Sequence, residues 1–170
     1  MSVGLLILRL VIGLGLAAHG GQKLFGWFGG YGIAGTGQFL EGLGFRPGRL
    51  HAVQAGLAEM LGGLFLAAGF LTPAAAAAVV AVMLVAAVSV HLQAGFFAQT
   101  GGYEYALVLA TAALALAFTG PGAISLDHAL GIAWSGGKWG LLALGAGLVG
   151  GAVPLVARKA PVTSAAPHTA

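Results

Sequence analysis

The sequence predicts an all-α, polytopic membrane protein, and three observations carry that expectation. Hydrophobic residues make up 59% of the chain and charged residues 6%, where a soluble domain carries roughly a quarter charged residues. Apolar runs approaching the ~20 residues needed to cross a bilayer recur five times along the chain. Most of the charges fall at the ends of those runs or between them, Arg9 and Glu59 being the exceptions. So few charges cannot cover a water-facing surface, so the outer surface of the bundle has to be lipid.

Composition also excludes functions. The seven basic residues are scattered over loops and helix ends and form no patch that would bind nucleic acid. With no cysteine in the chain, disulfide exchange, CxxC redox chemistry and thiolate metal sites are excluded. A redox role would need a bound cofactor or a partner. The segment Met1 to Leu8 lacks a basic n-region and Arg9 falls inside the apolar run, so the N-terminus reads as a retained span rather than a removable signal peptide.

The first predicted span is Val3 to about Phe25. His19, Gln22 and Lys23 share one face of its last turns at i, i+3 and i+4. Lys23 and Arg9 are expected to snorkel to the interfaces; for Arg9 the sharper alternative is pairing with a buried acid. A glycine-rich connection follows, with Trp27, Phe28 and Tyr31 suited to the membrane–water boundary. Within it, Gly35 to Gly44 predicts a short interfacial or re-entrant helix that would cap a pocket if it dips inward. The second span, about Leu50 to Leu71, carries His51, Gln54 and the deepest acid, Glu59, roughly 12 Å beyond His51. A carboxylate at that depth has to be neutral or paired.

Thr72 as N-cap and Pro73 at the first helical position open the third span, which runs to about Gln93 and contains Ser89 and His91. The fourth span is Gly102 to about Thr119, with Glu104 in its first turn, where the helix dipole favours an acid. Gly120-Pro121-Gly122 stops it. Ile124 to Ile132 predicts a short surface helix with Ser125 as N-cap and Asp127 and His128 facing water. The fifth span, Trp139 to about Val156, has no ionisable residue inside, and Arg158 and Lys159 end it. The small-residue tail 160–170 is expected to be disordered.

Because successive spans alternate in direction, the end of the first, the start of the second, the end of the third and the start of the fourth share a leaflet. Those ends carry His19, Gln22, His51, Gln54, Glu59, His91, Tyr103 and Glu104. Ionisable groups near lipid are costly and usually face the bundle interior, so this band is the expected site. The plain alternative for His91 and Glu104 is a position in the polar headgroup layer. No residue is assigned a catalytic role. A metal site is disfavoured, because no His/Glu pair has the tight i, i+3 or i, i+4 spacing of a bundle metal site. Lys23, Arg46, Arg49, Arg158 and Lys159 fall on one side of the membrane and Arg9 and Lys138 on the other, which places the N-terminus outside and the C-terminus in the cytoplasm.

The segments His19-Gly20-Gly21-Gln22-Lys23-Leu24, Ala55-Gly56-Leu57-Ala58-Glu59 with Gly62-Gly63, and His91-Leu92 followed by Gly95-Phe96-Phe97 resemble the DoxX family. Gly101-Gly102-Tyr103-Glu104-Tyr105 and Gly120-Pro121-Gly122 extend the resemblance, which covers about Leu5 to Leu130. It implies a four-helix membrane core over residues 1–133, with the fifth span at 134–159 as an addition. It also implies a place in the cell membrane, in association with quinone-linked oxidoreductase systems. The expected role is a quinone-interacting subunit rather than a complete enzyme, with no covalent cofactor, lipid as its surroundings, and a partner oxidoreductase or a homo-oligomer as its protein contact. In that role a histidine would donate to a quinone carbonyl, Glu59 or Glu104 would relay protons, and Tyr103, Phe96 and Phe97 would line the ring. The alternatives are a non-catalytic anchor, for which the glycines of the last span offer close helix contacts, and, more remotely, a small-solute transporter.

Overall fold

A computed structural model describes residues 2–159; the tail 160–170 lies outside the described residues. Among them there is no strand, and seven helices follow one another: α1 (Ser2–Phe25), α2 (Gly32–Gly42), α3 (Gly48–Ala68), α4 (Thr72–Ala86), α5 (Glu104–Thr119), α6 (Leu126–Ala129) and α7 (Gly137–Ala157). Four segments are long and apolar enough to cross a membrane: α1, α3, α7, and α4 with its extension to Ala94. The fifth predicted span, α5, has 16 residues. At 1.5 Å per residue it is about 24 Å long, short of the ~30 Å hydrocarbon core. The residues before it, expected to begin the helix at Gly102, are instead used by the loop.

The most extensive packing joins α1 to α3, antiparallel, and glycine makes it possible. A Cβ on Gly13 would collide with Gly63 O and Ala67, and one on Gly20 with Gly56 O and Met60. Gly63 and Gly56 are equally crowded, by Gly13 O and by the Leu24 side chain. The two glycines on each helix are seven residues apart, so both contacts lie along one stripe and the backbones approach at two levels.

α4 is the centre of the molecule. It is apolar on every side, as a helix buried all round must be, and packs against α3, α5 and α7. Its Ala75, Ala76, Val79, Val82 and Met83 form the core with Leu16, Leu66, Leu109, Ala113 and Leu116. Past Ala86 the ladder loosens into a π turn at Ala87–His91. There the Ser89 hydroxyl donates to Val85 O at 2.5 Å, a side-chain bond that competes with the backbone ladder. α7 runs parallel to α4, with Gly147 against Val80 and Gly151 against Ala81 and Leu84. Of the α7 glycines offered above as partner contacts, Gly140, Gly147, Gly150 and Gly151 each meet α4 or α5 within the chain, and Gly145 alone has open space.

Three expectations are corrected at the end of the bundle opposite the predicted site. α4 begins at Thr72 itself, with Leu71 in the cap position. Its cap is supplied from afar: Asp127 accepts from Leu71 N at 2.7 Å, Thr72 N at 3.0 Å and the Thr72 hydroxyl at 2.7 Å. Asp127 therefore does not face water but is fully buried. Ser125 does cap the four-residue α6, its hydroxyl accepting from His128 N at 3.2 Å. Nor does Arg9 snorkel; it is buried beside Gly69 and donates to Ile124 O. The two charges bracket the α3–α4 turn. The anion sits at the N-terminus of α4 and the cation at the C-terminus of α3, which is where the helix dipoles favour each. Gly69 ends α3 at φ 64°, and its missing side chain leaves the room that the guanidinium fills.

Candidate functional site

The polar band at the other end resolves into three groups. The first lies between α1 and α3. Lys23 Nζ donates to Glu59 Oε2 at 2.5 Å, with the Glu59 side chain 5% exposed and that of Lys23 30%. Lys23 was expected at the interface; it pairs because Cα–Cβ bonds tilt toward the N-terminus of a helix. Its long stem thus runs back down α1 toward the level of Glu59, which is paired as its depth requires. Nearby, His19 Nδ1 donates to Gln22 Oε1 at 3.0 Å. Gln22 Nε2 donates to Phe28 O at 3.3 Å, and the edge of Tyr105 approaches the His19 ring at 6.2 Å between centroids. Gln22 and Lys23 also line an open cleft of about 840 Å³ under α2, with Tyr31, Thr36, Gln38 and Phe39 on its far wall.

The second group is His51 and Gln54, on a different face of α3. They border a cavity of about 460 Å³ whose remaining walls are nearly all apolar: Leu40 and Phe45 above, Ala55 and Ala58 of α3, Ala81, Val82 and Val85 of α4, and Gly150, Val153, Pro154 and Ala157 of α7. The short helix predicted at 35–44 is α2, and the turn after it does cap this cavity. Phe45 is buried and packs 5.5 Å from the His51 ring. Glu41 holds the turn by accepting from Gly48 N at 2.9 Å. The end of α7 holds it from the other side, through Lys159 N donating to Gly44 O at 3.0 Å and Arg158 lying 5.9 Å from the Phe45 ring centre.

The third group is His91, Tyr103 and Glu104, and here the polar atoms are spent on the α4–α5 connection. His91 Nδ1 donates to Gly101 O at 2.7 Å, and Glu104 Oε2 accepts from Ala98 N at 2.9 Å. Tyr103 stacks edge-on with Phe96 at 5.5 Å, and Tyr103 N donates to Gly95 O at 3.1 Å. The eight candidate residues thus share an end of the molecule, but His19, Gln22 and Glu59, then His51 and Gln54, then His91, Tyr103 and Glu104 occupy separate places. Among the described residues, no three His, Asp or Glu side chains come close enough to hold a metal ion.

The burial of Arg9 and Asp127 at the same end of the bundle was not anticipated. Its signal was present: the chain has four acids, and alternation of the spans leaves Asp127 as the acid at the Arg9 end.

A helical bundle of bilayer-crossing length, with polar groups gathered at one end beneath a short capping helix, defines an integral multi-pass membrane protein. The family model for DoxX matches residues 4–92, and the chain belongs to the DoxX family. The matched stretch covers α1 to the π turn and stops before α5 and α7. The glycine motifs at 101–105 and 120–122 therefore lie outside it. No curated protein and no solved structure matches the chain.

Proposed function

We propose that the protein is a quinone-interacting, redox-associated subunit of a membrane oxidoreductase system, and that the quinone head group sits in the cavity bordered by His51 and Gln54. The carrying observation is the make-up of that cavity: an apolar chamber of about 460 Å³ with hydrogen-bonding side chains at one end only. Small-molecule sites are of that size, mostly apolar, with a few polar groups that fix orientation. A quinone supplies two-electron, two-proton redox chemistry when bound. His51 and the Gln54 amide are the donors available to its carbonyl oxygens, and Phe45 is the ring against which its head group would lie. The chain has no cysteine to carry electrons, so they would arrive from a partner protein.

Glu59 and Lys23 neutralise each other on another face of α3 and are not needed as proton carriers in this scheme. His91, Tyr103 and Glu104 shape the neighbouring loop instead of the ring site. The anchor alternative loses its main support, since four of the five α7 glycines are consumed inside the chain. Placement is in the plasma membrane, with the cavity end and the C-terminus facing the cytoplasm.

The test is quinone content after purification in mild detergent. Wild-type protein should retain stoichiometric quinone, and His51→Ala/Gln54→Ala should retain at least tenfold less. His128→Ala, an exposed histidine at the opposite end, should match wild type. No quinone in wild type, or equal quinone in the double variant, overturns the proposal.

A further inference from the structure

The walls of the His51–Gln54 cavity are unequal, and the inequality gives it a direction. α3 and α7 both pack on α4, on different sides of it, and make little contact with each other. The cavity is therefore a groove over α4 with α3 and α7 as its two banks. Its polar end is roofed by Leu40 and Phe45, and the roof is fastened by the Lys159–Gly44 hydrogen bond and by Arg158 over Phe45. Its flank is not roofed. Along the α7 bank Val153 is 63% exposed, and on the outer face of α3 Leu57 is also exposed. Inward of the polar end the lining is Ala58, Ala81 and Gly150, residues too small to fill the space between the banks.

We infer that the ligand enters this groove sideways from the bilayer, between α3 and α7, and that Val153 of α7 borders the path of its apolar tail. The inference rests on the quinone reading above and adds the route and a residue that controls it. A roof of Leu40 and Phe45 over His51, with the apolar flank left open beside the exposed Gln54, suits an amphiphile dissolved in lipid, whose head reaches His51 while its tail stays in hydrocarbon. A water-soluble ligand would need the opposite arrangement. α7 lies outside the stretch that matches the family model, so this bank is a feature of the present chain that the family match does not supply.

The experiment uses full-length protein in lipid nanodiscs and a benzoquinone bearing a decyl tail. Val153→Trp puts a large ring on the bank and leaves His51 and Gln54 themselves in place. It should weaken binding of the decyl quinone at least tenfold, while Val11→Trp, on exposed α1 surface, should leave binding unchanged. Wild-type binding with no loss in Val153→Trp overturns the route but leaves the quinone site standing. No binding by wild type removes both.

A second readout covers the case in which the tryptophan variant does not assemble. The chain has no cysteine, so Val153→Cys accepts a single spin label. The decyl quinone should slow that label's motion. Unchanged motion with quinone retained overturns the route.

Discussion

Lys23 and Glu59 show what a membrane-embedded charge needs from its surroundings. Either alone would be a charge held away from water; together, at 2.5 Å, they neutralise each other. Removing Lys23 leaves a buried carboxylate without its donor, a loss of roughly 1–3 kcal/mol by the usual cost of an unsatisfied buried group. Lys23→Met should therefore lower the thermal midpoint in detergent. Lys23→Met/Glu59→Gln should recover much of the loss, because the stranded charge is gone. A double variant no more stable than the single would show that the pair's electrostatics are not what matters there. That Glu59 had to be neutral or paired was legible from depth, but which of the two, and with what partner, was not. Spacing rules compare residues three or four apart, and this bond spans 36 residues. Asp127 failed for a related reason: a polar residue in a short loop helix looks solvated until the fold brings the N-terminus of α4 over it.

At the level of elements, the sequence was most informative where hydrophobic length alone decides. The limits of α1, α3 and α7 follow from it to within a few residues. It was least informative where backbone groups at the helix ends find partners elsewhere. α5 begins at Glu104 because Gly102 N and Tyr103 N donate to Phe97 O and Gly95 O, closing the loop before the helix can start. The glycines of α1 were legible as small surfaces, but their pairing was not, because pairing needs the rotation of each helix. That pairing gives a contrast within one helix. Gly20 sits against α3 backbone, whereas Gly15 has nothing near the place its Cβ would occupy. Gly20→Leu should separate α1 from α3 and sharply reduce the yield of folded protein in detergent, while Gly15→Leu should behave as wild type. Equal outcomes for the two variants would mean that the α1–α3 approach does not depend on glycine at this level.

For the whole molecule, the distribution of charge between the two ends is what bears on orientation. The structure brings Lys159 to Gly44 and Arg158 to Phe45, so the C-terminal end of α7 and the α2–α3 turn share an end of the bundle. Lys23, Arg46, Arg49, Arg158 and Lys159 are all at or near that end. The opposite end has Arg9 and Lys138, and Arg9 is buried beside Gly69 rather than offered to water. With Lys23 neutralised by Glu59 and Arg9 buried, the unpaired cations among the described residues are Arg46, Arg49, Arg158 and Lys159 at one end against Lys138 at the other, and Lys/Arg excess is the usual mark of the cytoplasmic side. A chain without cysteine allows a direct check with single cysteines at exposed positions: Gly42→Cys at the end of α2 and Ser135→Cys in the loop before α7. A membrane-impermeant maleimide applied to intact cells should label Ser135→Cys and spare Gly42→Cys until the membrane is permeabilised. The reverse pattern would place the His51–Gln54 end outside, and the partner supplying electrons would then have to be sought on that side.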